Sequence, residues 1–160
     1  MGAHLINKNW LTLETINDIV SNNKKIELSE EATELINKCR AYLDNKLAED
    51  HSPIYGINTG FGSLCNTEIS KNDLEKLQCN LVMSHACGLG EEVPQDIVKL
   101  MLLLKVQGLS YGHSGVQLIT VQRLVDFYNN DIFPVVYQQG SLGASGDLAP
   151  LAHLSLALLG

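Results

Sequence analysis

The apolar positions of this 160-residue chain recur mostly at helical spacing. Thr12 stands ahead of Leu13, Ile16, Ile19 and Val20, a pattern that predicts a short capped helix stopped at Asn22-Asn23. Ser29, followed by Glu30 and Glu31, opens the next helix. Its apolar stripe takes in Ala32, Leu35, Ile36, Cys39, Tyr42, Leu43 and Leu47 and runs to about Asp50. Over residues 51–69 the period is lost among glycine, proline and asparagine, which predicts a long loop with at most a short strand at its start. Ser70-x-x-Asp73 resembles a capping box before a helix through Leu74, Leu77, Leu81 and Val82. Pro94 then opens a helix in which "IVKLMLLLKVQGL" is apolar nearly all round, so burial on most of its faces is expected. Residues 116–128 give another amphipathic helix. The last helix follows the glycine-rich stretch "GSLGASGDLAP" at 140–150, with Ser145 or Asp147 as its expected cap. Strands and helices do not alternate along the sequence, so the predicted fold class is mainly α: one helical domain with long glycine-rich loops at its helix ends.

Composition narrows the function classes. Eleven basic against 18 acidic residues leave a net charge of −7, which provides no electrostatic footprint for nucleic acid. The chain does not open on a basic segment followed by an apolar one, and no apolar run reaches the roughly 18 residues of a membrane helix. The expectation is a cytoplasmic protein without a membrane partner. Cys39, Cys65, Cys79 and Cys87 form no C-x-x-C pair, so neither a metal site nor a disulfide framework is signalled. The sequence ends on the apolar run "LAPLAHLSLALLG", whereas natural termini favour polar, exposed ends. We therefore expect residues 1–160 to be the N-terminal part of a larger protein. The opposing view is a complete, non-catalytic helical module.

Three stretches carry candidate chemistry. "GSLGASGDLAP" lacks the Lys-Ser/Thr pair of a phosphate-binding loop and, by the pattern above, the strand that should precede one. A nucleophile elbow requires Gly-x-Ser-x-Gly, but here Gly143-Ala144-Ser145-Gly146 runs into Asp147. Taken alone, the stretch is a flexible turn. "YGINTGFG" at 55–62 is, alone, a glycine-rich surface loop with Tyr55 half buried. Ser84-His85 in "NLVMSHACGLG" falls at a helix end, where a single histidine ordinarily packs or caps. His4, His51, His113 and His153 show no ligand spacing and read as structural.

Taken together and in this order, residues 55–62, 84–90 and 140–153 resemble the signature segments of the aromatic amino acid ammonia-lyases. "GSLGASGDLAPLAH" is the most specific of the three, and the resemblance extends over about residues 10–160. It implies the all-α, fumarase/aspartase-like architecture, of which this chain would be the N-terminal domain. It also implies a prosthetic group made from the chain itself. The amide nitrogen of Gly146 would attack the carbonyl carbon of Ala144, and loss of two waters would leave a 4-methylidene-imidazol-5-one with Ser145 as its exocyclic methylene. Small residues and glycine permit the bent backbone this needs. No external cofactor is implied.

The resemblance assigns further roles. Tyr55 corresponds to the base that removes a weakly acidic β-proton, which requires neighbouring donors or positive charge to stabilise its phenolate. Gly56, Gly60 and Gly62 would let its loop close over the substrate, with Gly62 on the substrate side. Ser84-His85 is similar to the pair in those members that act on histidine, and implies deamination of L-histidine to trans-urocanate. Phenylalanine or tyrosine lyases and aminomutases share the electrophile and are the alternatives. The family's remaining site residues would lie beyond position 160, in a homotetramer whose sites draw on three subunits, so these 160 residues alone are expected to be catalytically silent. Lys105-Val106-Gln107 departs from the Arg-x-Asn frequent in the family.

Overall fold

A computed structural model describes residues 2–49 and 52–160. In chain order the elements are β1 (His4–Ile6), α1 (Leu13–Ser21), β2 (Ile26–Leu28), α2 (Glu30–Glu49) and α3 (Leu74–His85). There follow β3 (Leu89–Glu92), α4 (Gln95–Ser110), α5 (Leu118–Asn129), β4 (Tyr137–Gln139) and α6 (Leu148–Leu156). Helices dominate, as the periodicity predicts. The described residues form two compact units, each made of two separate stretches: that ending at Leu47 with Pro94–Phe133, and Ala48–Val93 with Pro134–Gly160.

In the first unit, Thr12 caps α1 by accepting the Thr15 N–H at 3.2 Å, and Ser29 Oγ accepts the Ala32 N–H at 3.1 Å at the head of α2. Both caps are legible in the sequence. The parallel pair β1–β2, joined by α1, is not, and it corrects the expectation of no strand–helix alternation. Three residues are too few for a period of two to register. Long-range bonds complete this pair instead. Asn129 of α5 accepts the Ile26 N–H at 2.9 Å and donates to the Ile26 carbonyl at 2.8 Å, so both polar backbone groups of a fully buried residue are satisfied.

The core of this unit is Val98, Leu102, Leu103 and Val106 of α4 against Val121, Leu124, Val125 and Tyr128 of α5. Burial of α4 is less complete than expected, since Ile97 and Leu104 are exposed. Lys99 Nζ bonds Asn23 at 2.6 Å and Asp131 at 2.7 Å, the two left-handed residues that follow α1 and α5. This bond holds the Asp131 carboxyl below its usual range, while burial raises the Tyr128 phenol above its own. Gln107 donates to the carbonyls of Asn7 and Asn9 at 2.9 and 3.2 Å. At this departure from the family pattern, the amide therefore ties down the N-terminal segment.

In the second unit α3 packs on α6, and β3 pairs antiparallel with β4 through Leu89↔Gln139 and Glu92↔Tyr137, with an irregularity between them. The strand β4 directly precedes the glycine loop, where none was expected. The phosphate-loop and elbow alternatives still fail, on residue types. Ser70 and Asp73 do not form a capping box. Ser70 Oγ donates to the Asp73 carboxylate at 2.8 Å, and a turn of 3₁₀ helix over Lys71–Asp73 leads into α3. Among the described residues no helix is long and apolar enough to cross a membrane, and no cluster of three or more His, Cys, Asp or Glu could hold a metal.

Asn129→Ala strands both backbone groups of Ile26 and should lower unfolding stability by about 1–3 kcal/mol. Asn130→Ala breaks only a bond to Asp126 within its own helix turn and should cost under about 1 kcal/mol. Urea unfolding of the two variants compares them; equal losses would contradict this role for Asn129.

Candidate active site

Polar side chains shape the loop that carries Tyr55. Asn58, buried, accepts the Ile54 N–H at 2.6 Å and donates to the Ser52 carbonyl at 3.2 Å. Thr59, also buried, accepts the Gly56 N–H at 3.2 Å and donates to the Gly60 carbonyl at 3.0 Å. From α3, Gln78 donates to the carbonyls of Ile57 and Gly56 at 3.0 and 3.4 Å. The loop is thereby fixed along its backbone and fastened to one helix.

Tyr55 is 61% exposed, more than the half-burial expected of it. Its ring leans on Phe61, with centroids 5.6 Å apart, and its hydroxyl oxygen accepts the Gly62 N–H at 3.4 Å. The donor beside the phenol is therefore a backbone amide. Phe61 also meets the His85 ring edge-on at 5.5 Å, so one aromatic residue bridges the loop and the end of α3.

The tautomer of His85 follows from its partners. Nδ1 lies 2.7 Å from the Leu81 carbonyl, which can only accept, so Nδ1 carries a proton, and in the neutral ring Nε2 is the acceptor. Ser84 Oγ lies 3.2 Å from the same nitrogen and donates to the same carbonyl at 3.1 Å, which fixes the ring from its protonated edge. His85 is half buried in a hollow of about 170 Å³. Gln78, Leu81, Val82 and His85 line it at one spacing along α3, and Leu148, Leu151, Ala152 and Ser155 repeat that spacing on α6.

The Ala144-Ser145-Gly146 triplet stands in an exposed 3₁₀ turn at the head of α6. Three donors converge on the Leu142 carbonyl: the Ser145 N–H and hydroxyl, each at 3.0 Å, and the Asp147 N–H at 3.2 Å. Neither Ser145 nor Asp147 caps α6 through its side chain, contrary to expectation. The Ser145 hydroxyl is taken by Leu142, and the Asp147 carboxylate accepts the Ser141 hydroxyl. Gly146 adopts the left-handed conformation at φ +90°, and nothing lies within 4 Å of where a Cβ would stand at Gly143 or Gly146. The turn therefore has the small residues, the reversed backbone and the open space that a ring built from the triplet requires.

The structure joins Tyr55, Gly62 and His85 through Phe61, with Ser84 beside His85. Among the described residues no hydrogen bond or ring contact links Ala144–Gly146 to that group. Sequence reasoning missed Phe61 and Gln78, and it left His153 structural. His153 is buried, and its Nε2 accepts the Gly88 N–H at 2.9 Å. Its position inside an apolar run was the available signal, because a buried imidazole must find a partner. His51 lies outside the described residues.

The sequence profile of the aromatic amino acid lyase family matches residues 11–160. A histidine ammonia-lyase of Deinococcus radiodurans is 49% identical over 150 residues, which are 94% of this chain and 28% of that protein. The crystal structure of the ergothioneine-degrading enzyme of Treponema denticola, bound to desmethyl-ergothioneine sulfonic acid, aligns with TM-score 0.93 at 30% identity over 99% of this chain and 31% of its own. The histidine ammonia-lyase of Trypanosoma cruzi aligns with TM-score 0.85 at 36% identity, over 99% and 30% of the two chains. This chain thus spans less than a third of the length of each of these proteins.

Gln78→Leu removes the two bonds that fasten the Tyr55 loop to α3. Cleavage by a dilute protease within residues 53–66 should accelerate about fivefold or more, as expected for lost hydrogen bonds near 1 kcal/mol each. An unchanged rate would mean that Asn58 and Thr59 suffice.

Proposed function

This chain belongs to the aromatic amino acid lyase family, and from that premise we propose that its natural gene product deaminates L-histidine to trans-urocanate and ammonia. One observation carries the choice of substrate. His85 is held with its proton on Nδ1, so Nε2 faces its surroundings as an acceptor for an N–H, and the imidazole N–H of histidine is such a donor. The identity to a histidine ammonia-lyase supports the same choice.

The residues divide the work. Ala144, Ser145 and Gly146 would form a 4-methylidene-imidazol-5-one, which would supply an electrophile for the substrate amine, otherwise a poor leaving group. Tyr55 takes the β-proton, and the Gly62 N–H donates to its oxygen and helps to hold it in place. Ser84 keeps the His85 tautomer, so its contribution to substrate binding runs through that ring. The N-terminal N–H groups of α6, uncapped by any side chain, point their positive end toward the triplet and favour negative charge there.

A phenolic base works best with water excluded, and Tyr55 and the triplet are exposed in this chain. Further walls belong to the reading, and a homotetramer with sites shared between subunits supplies them. The four cysteines stand as free thiols, which suits the cytoplasm.

The test is the gene product's ultraviolet spectrum with histidine, which should gain the absorbance of urocanate. Release of cinnamate or coumarate from phenylalanine or tyrosine in its place would replace this substrate assignment. His85→Leu should lower kcat/KM for histidine about tenfold to a hundredfold, the effect of one buried hydrogen bond left without its partner. Tyr55→Phe should lower kcat by about 10²–10⁴-fold with little change in KM. Near-natural turnover by Tyr55→Phe would place the base elsewhere.

A further inference from the structure

Three separate stretches of the second unit meet at one histidine. His153 of α6 is 8% exposed, with its ring edge-on to Tyr137 of β4 at 5.2 Å between centroids. Its Nε2 accepts the Gly88 N–H, three residues past His85. That bond requires a neutral imidazole with its proton on Nδ1. A Cβ at Gly88 would come within 3.0 Å of His153 Nε2 and 3.1 Å of Tyr137 Cβ, and one at Gly140 within 3.1 Å of Gly88 Cα. The turn that follows His85 is therefore pressed against the first residue of the glycine loop that leads to Ala144, and α6 holds it there.

We infer that His153 is a positioning residue: by accepting the Gly88 N–H it fixes the turn after α3, and so sets His85 relative to the loop bearing Ala144-Ser145-Gly146. Shape alone does not explain a histidine here. An apolar side chain of like size would fill the same space but leave the Gly88 amide without its acceptor. Glutamine, whose Oε1 reaches about as far along the side chain as Nε2, supplies that acceptor without the ring. The acceptor and the bulk are thus separable by substitution.

The experiment uses the natural gene product with His153→Met and His153→Gln. Deuterium exchange of residues 86–92 reads the turn directly and does not depend on the substrate; residues 95–110 of α4 serve as the internal reference. In His153→Met, exchange over 86–92 should quicken about five- to tenfold, the usual worth of one such bond, with 95–110 unchanged. His153→Gln should stay within about threefold of the natural protein. The kinetic part rests on the histidine reading above: KM for histidine should rise in the Met variant more than kcat falls, and the Gln variant should restore it. Equal exchange in all three proteins, or a Gln variant that exchanges like the Met variant, would overturn the inference. If the Met variant unfolds throughout, the Gln variant decides on the same criterion. If the exchange pattern appears and histidine is not turned over by the natural protein, the latch is supported and the proposed substrate is what fails.

Discussion

The bond from the Gly88 N–H to His153 Nε2 crosses from the turn after α3 into α6, and much of the second unit follows from it. A buried imidazole has to be satisfied, and the available donor is a backbone amide in a turn. At that amide the turn lies so close that a Cβ at residue 88 or 140 would meet its neighbours at 3.0–3.1 Å, tighter than ordinary packing. The strands β3 and β4 pair next to this point, beginning at Leu89↔Gln139, and the glycine loop departs from it. Packing of α3 on α6 then leaves the hollow in which His85 stands.

Polar side chains do in this unit what apolar ones do in the other. The first unit has a continuous core of aliphatic residues from α4 and α5, with Lys99 and Asn129 closing its polar ends. In the second, Asn58, Thr59, Gln78 and His153 bind backbone groups of loops that bury little apolar surface. A loop held through its backbone keeps its side chains free for chemistry. Tyr55 and Ser145 occupy such positions, with Gly62 and Leu142 as their respective backbone partners.

Much of the fold can be read from the sequence, because helix periodicity and cap residues are local signals. Thr12 and Ser29 cap as their positions suggest, and α5 turns its apolar face to the core, but the stripes of α1 and α2 are buried only in part: Ile19, Ala32 and Ile36 are covered, whereas Leu13, Val20 and Tyr42 are exposed. The four short strands leave no such trace: what fixes β2 is Asn129, 103 residues away, and a partner at that distance has no local signature. Ser70 and Asp73 have the right spacing for a capping box, yet their side chains bond each other, since nothing in a spacing rule decides between a carboxylate and an amide as partner. For the site, the resemblance picks out Tyr55, Ser84, His85 and the triplet as stretches of chain. The links between them, Phe61, Gln78 and His153, are contacts made only on folding.

The central claim is that the turn at Ala144-Ser145-Gly146 is built to react with itself, and the mass of the peptide spanning residues 140–150 tests it most directly. Cut from the natural gene product, that peptide should weigh about 36 Da less than its sequence requires, the mass of two waters, with the deficit confined to residues 144–146 and abolished by Ser145→Ala. A peptide of full mass from protein that turns over histidine would contradict the account.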